Sequence, residues 1–109
     1  MHELSIAESV VDAVLEGTSG RHVTTVRLQV GRLSGVVPDA LMFCFELATA
    51  GTALEGAELQ IEVPTGRAHC RECNQDFELD DLILLCECGS ADVEVVAGRE
   101  LQVMSVEVV

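Results

Sequence analysis

The sequence predicts an α+β chain of two helices and three strands, with a cysteine-bearing module of about thirty residues between the second and third strands. Three observations carry this expectation. Two segments place apolar residues at helical spacing, and three alternate like half-buried strands. Four of the five cysteines fall within the nineteen residues from Cys70 to Cys88.

The first helix is expected over residues 4–17. Ser5 and Glu8 make an S-x-x-E capping box, in which a hydroxyl and a carboxylate satisfy orphan amides at a helix start. Ile6, Val10, Val11, Val14 and Leu15 then form one apolar stripe, and Gly17 and Gly20 end the helix. From His22 to Val30 the pattern becomes β-branched alternation, with Val26, Leu28 and Val30 on one face. Gly31, Ser34 and Gly35 make a loop. Pro38, suited to a first helical position, and Asp39 open a second helix to about Ala50, stopped by Gly51. Its apolar face is Leu41, Cys44, Phe45 and Ala48, which makes Cys44 a core thiol.

The second strand, Leu59 to Val63, alternates cleanly and is broken by Pro64 and Gly66. The third, Glu100 to Val108, leaves open which face is buried. Composition shifts near Gly66 and Gly98 divide the chain into 1–66 with 98–109 and an inserted module at 67–97.

With 109 residues, 49% of them hydrophobic and 23% charged, the chain can bury a core and is not generally disordered. No apolar run approaches the roughly 18 residues of a membrane span. MHELSIAES lacks the basic flank and small-residue cleavage site of a signal peptide, so a cytoplasmic location is expected. Nineteen acidic residues against six basic ones, all arginine, give a net charge of −13. Such a chain repels phosphate backbones and anionic lipid, and with no Trp, no Tyr and three Phe it lacks stacking platforms. Nucleic acid and membranes are not the expected partners.

In a reducing compartment, clustered thiols bind metal or do redox chemistry more often than they form structural disulfides. Cys70-Arg-Glu-Cys73, twelve residues and Cys86-Glu-Cys88-Gly89 come close to a four-cysteine zinc ribbon. Two short knuckles on successive hairpins would supply the ligands. The apolar stock of the module is Phe77, Leu79, Leu82 to Leu85, Val93, Val95 and Val96, too little for an independent core, so metal binding would supply folding free energy. The second knuckle is one residue short, which puts its amide-to-sulfur hydrogen bonds and the joint use of Cys86 and Cys88 in question. His69 is a reserve ligand.

Met1-His2-Glu3 offers a different chemistry. A free amine, the amide nitrogen between residues 1 and 2, and the His2 imidazole can chelate one ion in fused rings. The Glu3 amide nitrogen can complete a plane of four nitrogens, a set that suits Ni(II) and Cu(II) and not Zn(II).

MHELSIAESVV at the start, the CxxC…CxCGS cluster and DVEVVAGRELQVMSVEV near the end resemble the HypA family, nickel metallochaperones of [NiFe]-hydrogenase maturation. The likeness spans essentially the whole chain. It implies an α/β nickel domain of two helices packed on a three-stranded sheet, with a zinc-ribbon module inserted before the last strand. It implies nickel held by Met1, His2 and the Glu3 backbone, and structural zinc held by Cys70, Cys73, Cys86 and Cys88. It also implies work with a HypB-type GTPase and delivery to the hydrogenase large-subunit precursor or, in some organisms, to urease maturation proteins.

The function expected is therefore a non-enzymatic carrier of Ni(II), monomeric or weakly dimeric, with a structural zinc site. No nucleophile–base pair, phosphate-binding glycine loop or nucleotide fingerprint is present. The alternative is a zinc-ribbon interaction or regulatory module without nickel transfer. A nucleic-acid ribbon would need a basic face, and a dithiol oxidoreductase built on Cys70 and Cys73 would leave the second cysteine pair without a role.

Overall fold

The computed structural model describes residues 2–109. Met1, expected to supply the nickel-binding amine, lies outside the described residues. The chain forms α1 (Glu3–Gly17), β1 (Val23–Val30), α2 (Pro38–Thr49), β2 (Glu58–Glu62), β3 (Gly66–Cys70), β4 (Asp76–Leu79), β5 (Val93–Ala97) and β6 (Leu101–Val108). The molecule is elongated, 52 × 22 × 17 Å.

One sheet has the order β2-β1-β6, with β1 parallel to β2 and antiparallel to β6. Parallel neighbours need a crossover, and α2 supplies it. The two helices pack on this sheet around Val10, Val11, Val14, Val26, Leu28, Val30, Leu41, Phe45 and Leu59. Cys44 is half-buried against that core, as its place on the α2 stripe predicts. Thr49, unremarked in the sequence, is buried and bonds the Glu46 carbonyl.

The start of α1 differs from expectation. The helix begins at Glu3 with His2 as N-cap, and no side chain caps it. The first helical bond runs from the Ile6 N–H to the His2 carbonyl, so Ser5 already lies inside the helix and the proposed Ser5/Glu8 box does not form the cap. Glu3 turns its carboxylate to the Val37 N–H at the start of α2. At β6, where the sequence left the buried face open, Val106 and Val108 pack on the core while Leu101, Val103 and Met104 stay exposed.

The second sheet is antiparallel, ordered β4-β3-β5, and lies between β2 and β6 in the chain. Its small core is Leu33, Ala68 and Leu79, with Phe77, Leu84, Val93 and Val95 packed against it. Leu33 is contributed by the loop after β1, from outside the segment. Conversely Leu82, Ile83 and Leu85, counted above as apolar stock, are exposed, and only Leu84 of that run packs inward. The segment is thus poorer in core than its composition suggested.

The two sheets meet at three glycines. The Leu33 N–H bonds the Gly98 carbonyl at 2.6 Å and the Gly31 N–H bonds the Glu100 carbonyl at 2.7 Å. A Cβ at Gly31 would overlap the Gly98 carbonyl, and one at Gly66 would overlap the Leu33 side chain. Gly98 has φ +110° and would place a Cβ 2.5 Å from the Gly66 Cα. Only glycine permits this backbone approach.

Candidate functional site

The four clustered cysteines converge. One ligand atom from each of Cys70, Cys73, Cys86 and Cys88 lies within 4.8 Å of the others. The Cys70–Cys88 and Cys73–Cys86 sulfur pairs stand 3.7 and 3.6 Å apart. Sulfurs bound at 2.3 Å to a tetrahedral zinc are separated by about 3.8 Å, whereas a disulfide needs about 2.05 Å. The set therefore fits a structural zinc site and not a pair of disulfides.

Local backbone explains the convergence. The first knuckle caps the β3–β4 hairpin: the Cys70 N–H bonds the Gln75 carbonyl, the Asn74 N–H bonds the Cys70 carbonyl, and Asn74 takes φ +65°. The Cys73 N–H points to the Cys70 sulfur at 3.5 Å. The second knuckle does not sit on a hairpin, since no strand precedes Cys86 after β4. It closes instead on itself, through the Cys86 N–H to the Ser90 carbonyl and the Gly89 N–H to the Cys86 carbonyl. Despite the missing residue, the Cys88 N–H reaches the Cys86 sulfur at 3.5 Å. Cys70 and Cys86 are buried, with Cys73 and Cys88 toward solvent. Arg71 ties the first knuckle to the start of β5 through Asp92 at 3.0 Å and Glu94 at 3.7 Å.

The thiols are electrostatically coupled. The Cys73 N–H draws the Cys70 thiol down to about 6. Cys88 goes the other way, to about 12: the Ser90 N–H lowers it, but the Cys86 thiol, desolvation and the other two cysteines outweigh that bond. Cys73 is also raised; the Gln75 N–H lowers it, and desolvation with Cys86 and Cys70 prevails. Four adjacent thiols cannot all ionise without a cation among them, and a divalent ion reverses that balance.

His69 stands outside the cluster. Its Nδ1 lies 2.6 Å from Asp76 Oδ1 and its Nε2 lies 3.1 Å from Asn74 Oδ1, so both ring nitrogens are engaged. Asp76 raises its pKa above the ordinary 6.5. Spacing alone could not assign these partners, although Asp76 sits opposite His69 in the β3–β4 register.

His2 and Glu3 lie at the other candidate site, the N-terminus of α1. His2 is half-buried, and its Nε2 is shut from solvent with no hydrogen-bond partner among the described residues. Glu3 is the first helical residue, so its amide is among those that have no intrahelical acceptor. Nothing in the helix has to break for that nitrogen to bind elsewhere. The Glu3 carboxylate accepts the Val37 N–H at 3.1 Å, which holds its pKa below the ordinary 4.5. Sequence reasoning used the Glu3 backbone and missed this side-chain role, because its partner is 34 residues away.

The chain matches, over residues 1–108, the profile of a family described as "Hydrogenase/urease nickel incorporation, metallochaperone, hypA". Proteins named "Hydrogenase maturation factor HypA" are similar along nearly their whole length. The one from Streptomyces avermitilis is 48% identical, covering 97% of this chain and 86% of the relative. That from Geotalea uraniireducens is 47% identical, covering 99% of both chains. The solution structure of the Ni metallochaperone HypA from Helicobacter pylori shares the fold, with a TM-score of 0.68 at 24% identity, over 99% of this chain and 97% of that one.

Proposed function

Because the chain belongs to the HypA family, the metallochaperones of hydrogenase and urease nickel incorporation, we propose that its extreme N-terminus is where Ni(II) is held. The ligands in this reading are the Met1 amine, the amide between residues 1 and 2, the Glu3 amide nitrogen and the His2 imidazole. The observation that carries it is the position of Glu3 as first residue of α1. It makes a ligand amide available without cost to the helix, and the positive end of the helix dipole favours its deprotonated form. An open site on a chain end also suits transfer, since a receiving protein can reach the ion.

In the same reading Cys70, Cys73, Cys86 and Cys88 hold zinc, which supplies four metal–sulfur bonds to a segment whose core is small. Residues 67–97 then act as a stapled module on the nickel domain formed by 1–66 and 98–109. The protein acts as a carrier, not a catalyst, in the cytoplasm. GTP hydrolysis belongs to a HypB-type partner, and delivery is to the hydrogenase large-subunit precursor or to urease maturation proteins. Among the described residues no helix is long and apolar enough to cross a membrane.

Nickel and zinc stoichiometry on protein with a native, untagged N-terminus tests the assignment. One tightly held zinc and one exchangeable nickel per chain is the expected result. Zinc without stoichiometric nickel would overturn it.

A further inference from the structure

The sheet β2-β1-β6 carries two helices on its helical face, and the edge strand β6 is left partly uncovered beside α1. Two adjoining cavities of about 550 and 340 Å³ run there, meeting at Ala13 and Val103. They extend along α1 from Ser5 and past its end to Ser19 and Arg21, and Ile6, Val10, Leu101 and Val106 contribute apolar surface. Leu101 and Val103, which line these cavities, are 42% and 38% exposed.

We propose that this groove seats a cationic amphipathic helix presented by a different protein. The shape selects a helix. One wall is the stripe Ser5, Ser9, Ala13 and Gly17 at i, i+4, i+8 and i+12, whose small side chains let a second helix axis approach near the 8 Å end of the usual range. The other wall is the side-chain face of β6. The length from Ser5 to Ser19 accommodates about fourteen helical residues at 1.5 Å each.

The charge selects the partner. Glu8, Asp12 and Glu16 form the next stripe round α1, and the helix has no basic residue; the one arginine lining the groove, Arg21, lies at its far end and donates to the Val109 carbonyl at 3.2 Å. Glu16 stands in the last turn, where the helix dipole disfavours a carboxylate, so this charge does not serve the stability of α1. A second copy would bring the same acidic stripe and a net charge of −13, and would be repelled. A helix with an apolar face flanked by Lys or Arg meets both the groove and its rim. The surface is distinct from the metal ligands proposed above and does not depend on that reading.

The test uses the full-length, zinc-loaded protein, isotopically labelled, and a synthetic helical peptide of about fourteen residues with leucine and alanine on one face and lysines flanking it. The peptide should shift the amides of Ser9, Ala13 and Val103. Ala13→Arg, which fills the groove at an exposed position, should weaken binding at least tenfold. A scrambled peptide of equal charge should bind at least tenfold more weakly than the ordered one. The triple variant E8Q/D12N/E16Q should weaken binding and flatten its salt dependence. No binding, equal affinity for Ala13→Arg, an extended bound peptide, or shifts centred on Phe43 and Leu47 or on Leu82 and Ile83 would each overturn the proposal. So would a homodimer that Ala13→Arg dissolves.

Discussion

The carboxylate of Glu3 accepts a hydrogen bond from the backbone N–H of Val37, so the first residue of α1 holds the N-cap of α2. Val37 lies four residues after Leu33, which packs in the core of the second sheet. The N-terminal segment is thereby anchored to the loop that joins the two halves of the molecule.

That bond separates two roles of Glu3. Glu3→Ala removes the carboxylate but keeps the backbone amide. Nickel stoichiometry should remain near that of the unsubstituted chain, while thermal unfolding shifts down by about 3 °C. Loss of nickel binding in this variant would show that the side chain ligates.

His2→Ala should abolish stoichiometric nickel binding, with fold and zinc content intact. Equilibrium dialysis with circular dichroism checks both halves. Nickel affinity equal to that of the native protein would remove His2 from the site.

Adding one or two residues ahead of Met1, or acetylating its amine, should weaken nickel binding as strongly as losing His2. An extension turns the amine into a peptide nitrogen and moves His2 out of ring-forming range; a site built on imidazole alone would tolerate it. Competition with a chromogenic chelator distinguishes the two. A planar nitrogen set should also prefer Cu(II) to Ni(II).

Cys70→Ala or Cys73→Ala should lose zinc and lower amide protection across residues 67–96 at least about tenfold. The helices and the sheet β2-β1-β6 have their own core and should persist, with nickel bound. Cys88→Ala should behave alike. Cys86, whose sulfur accepts the Cys88 N–H and lies 3.6 Å from Cys73, should now be no less sensitive. Hydrogen exchange before and after zinc chelation measures this directly.

Gly98→Ala should destabilise the protein by about 2–4 kcal/mol, since φ +110° disfavours any side chain and the Cβ would meet Gly66. Gly17→Ala, where a Cβ meets nothing within 4 Å, should be near neutral. Urea unfolding of the two variants provides the comparison.

Much of this architecture is legible along the chain because its causes are local. Apolar spacing of 3.6 and of 2 residues is visible in α1, β1, α2 and β2, and each forms within a residue or two of its expected bounds. The two cysteine pairs announce their own convergence, because thiols at such spacing share little other use in a reducing compartment. The nickel chelate proposed at Met1-His2-Glu3 likewise rests on three adjacent residues.

What tertiary structure decided involves partners far apart in the chain. Glu3 accepts the Val37 N–H across 34 residues, a contact that the capping pattern at Ser5 and Glu8 could not show. His69 is drawn away from the thiols by Asp76 and Asn74, across a hairpin whose register had to form first. Leu33 completes a core outside its own sheet, and Gly31, Gly66 and Gly98 matter because two backbones meet there. The open face of β6 follows from two helices covering three strands. Periodicity reports which way a side chain points relative to its own element; only the closed chain determines what stands opposite it.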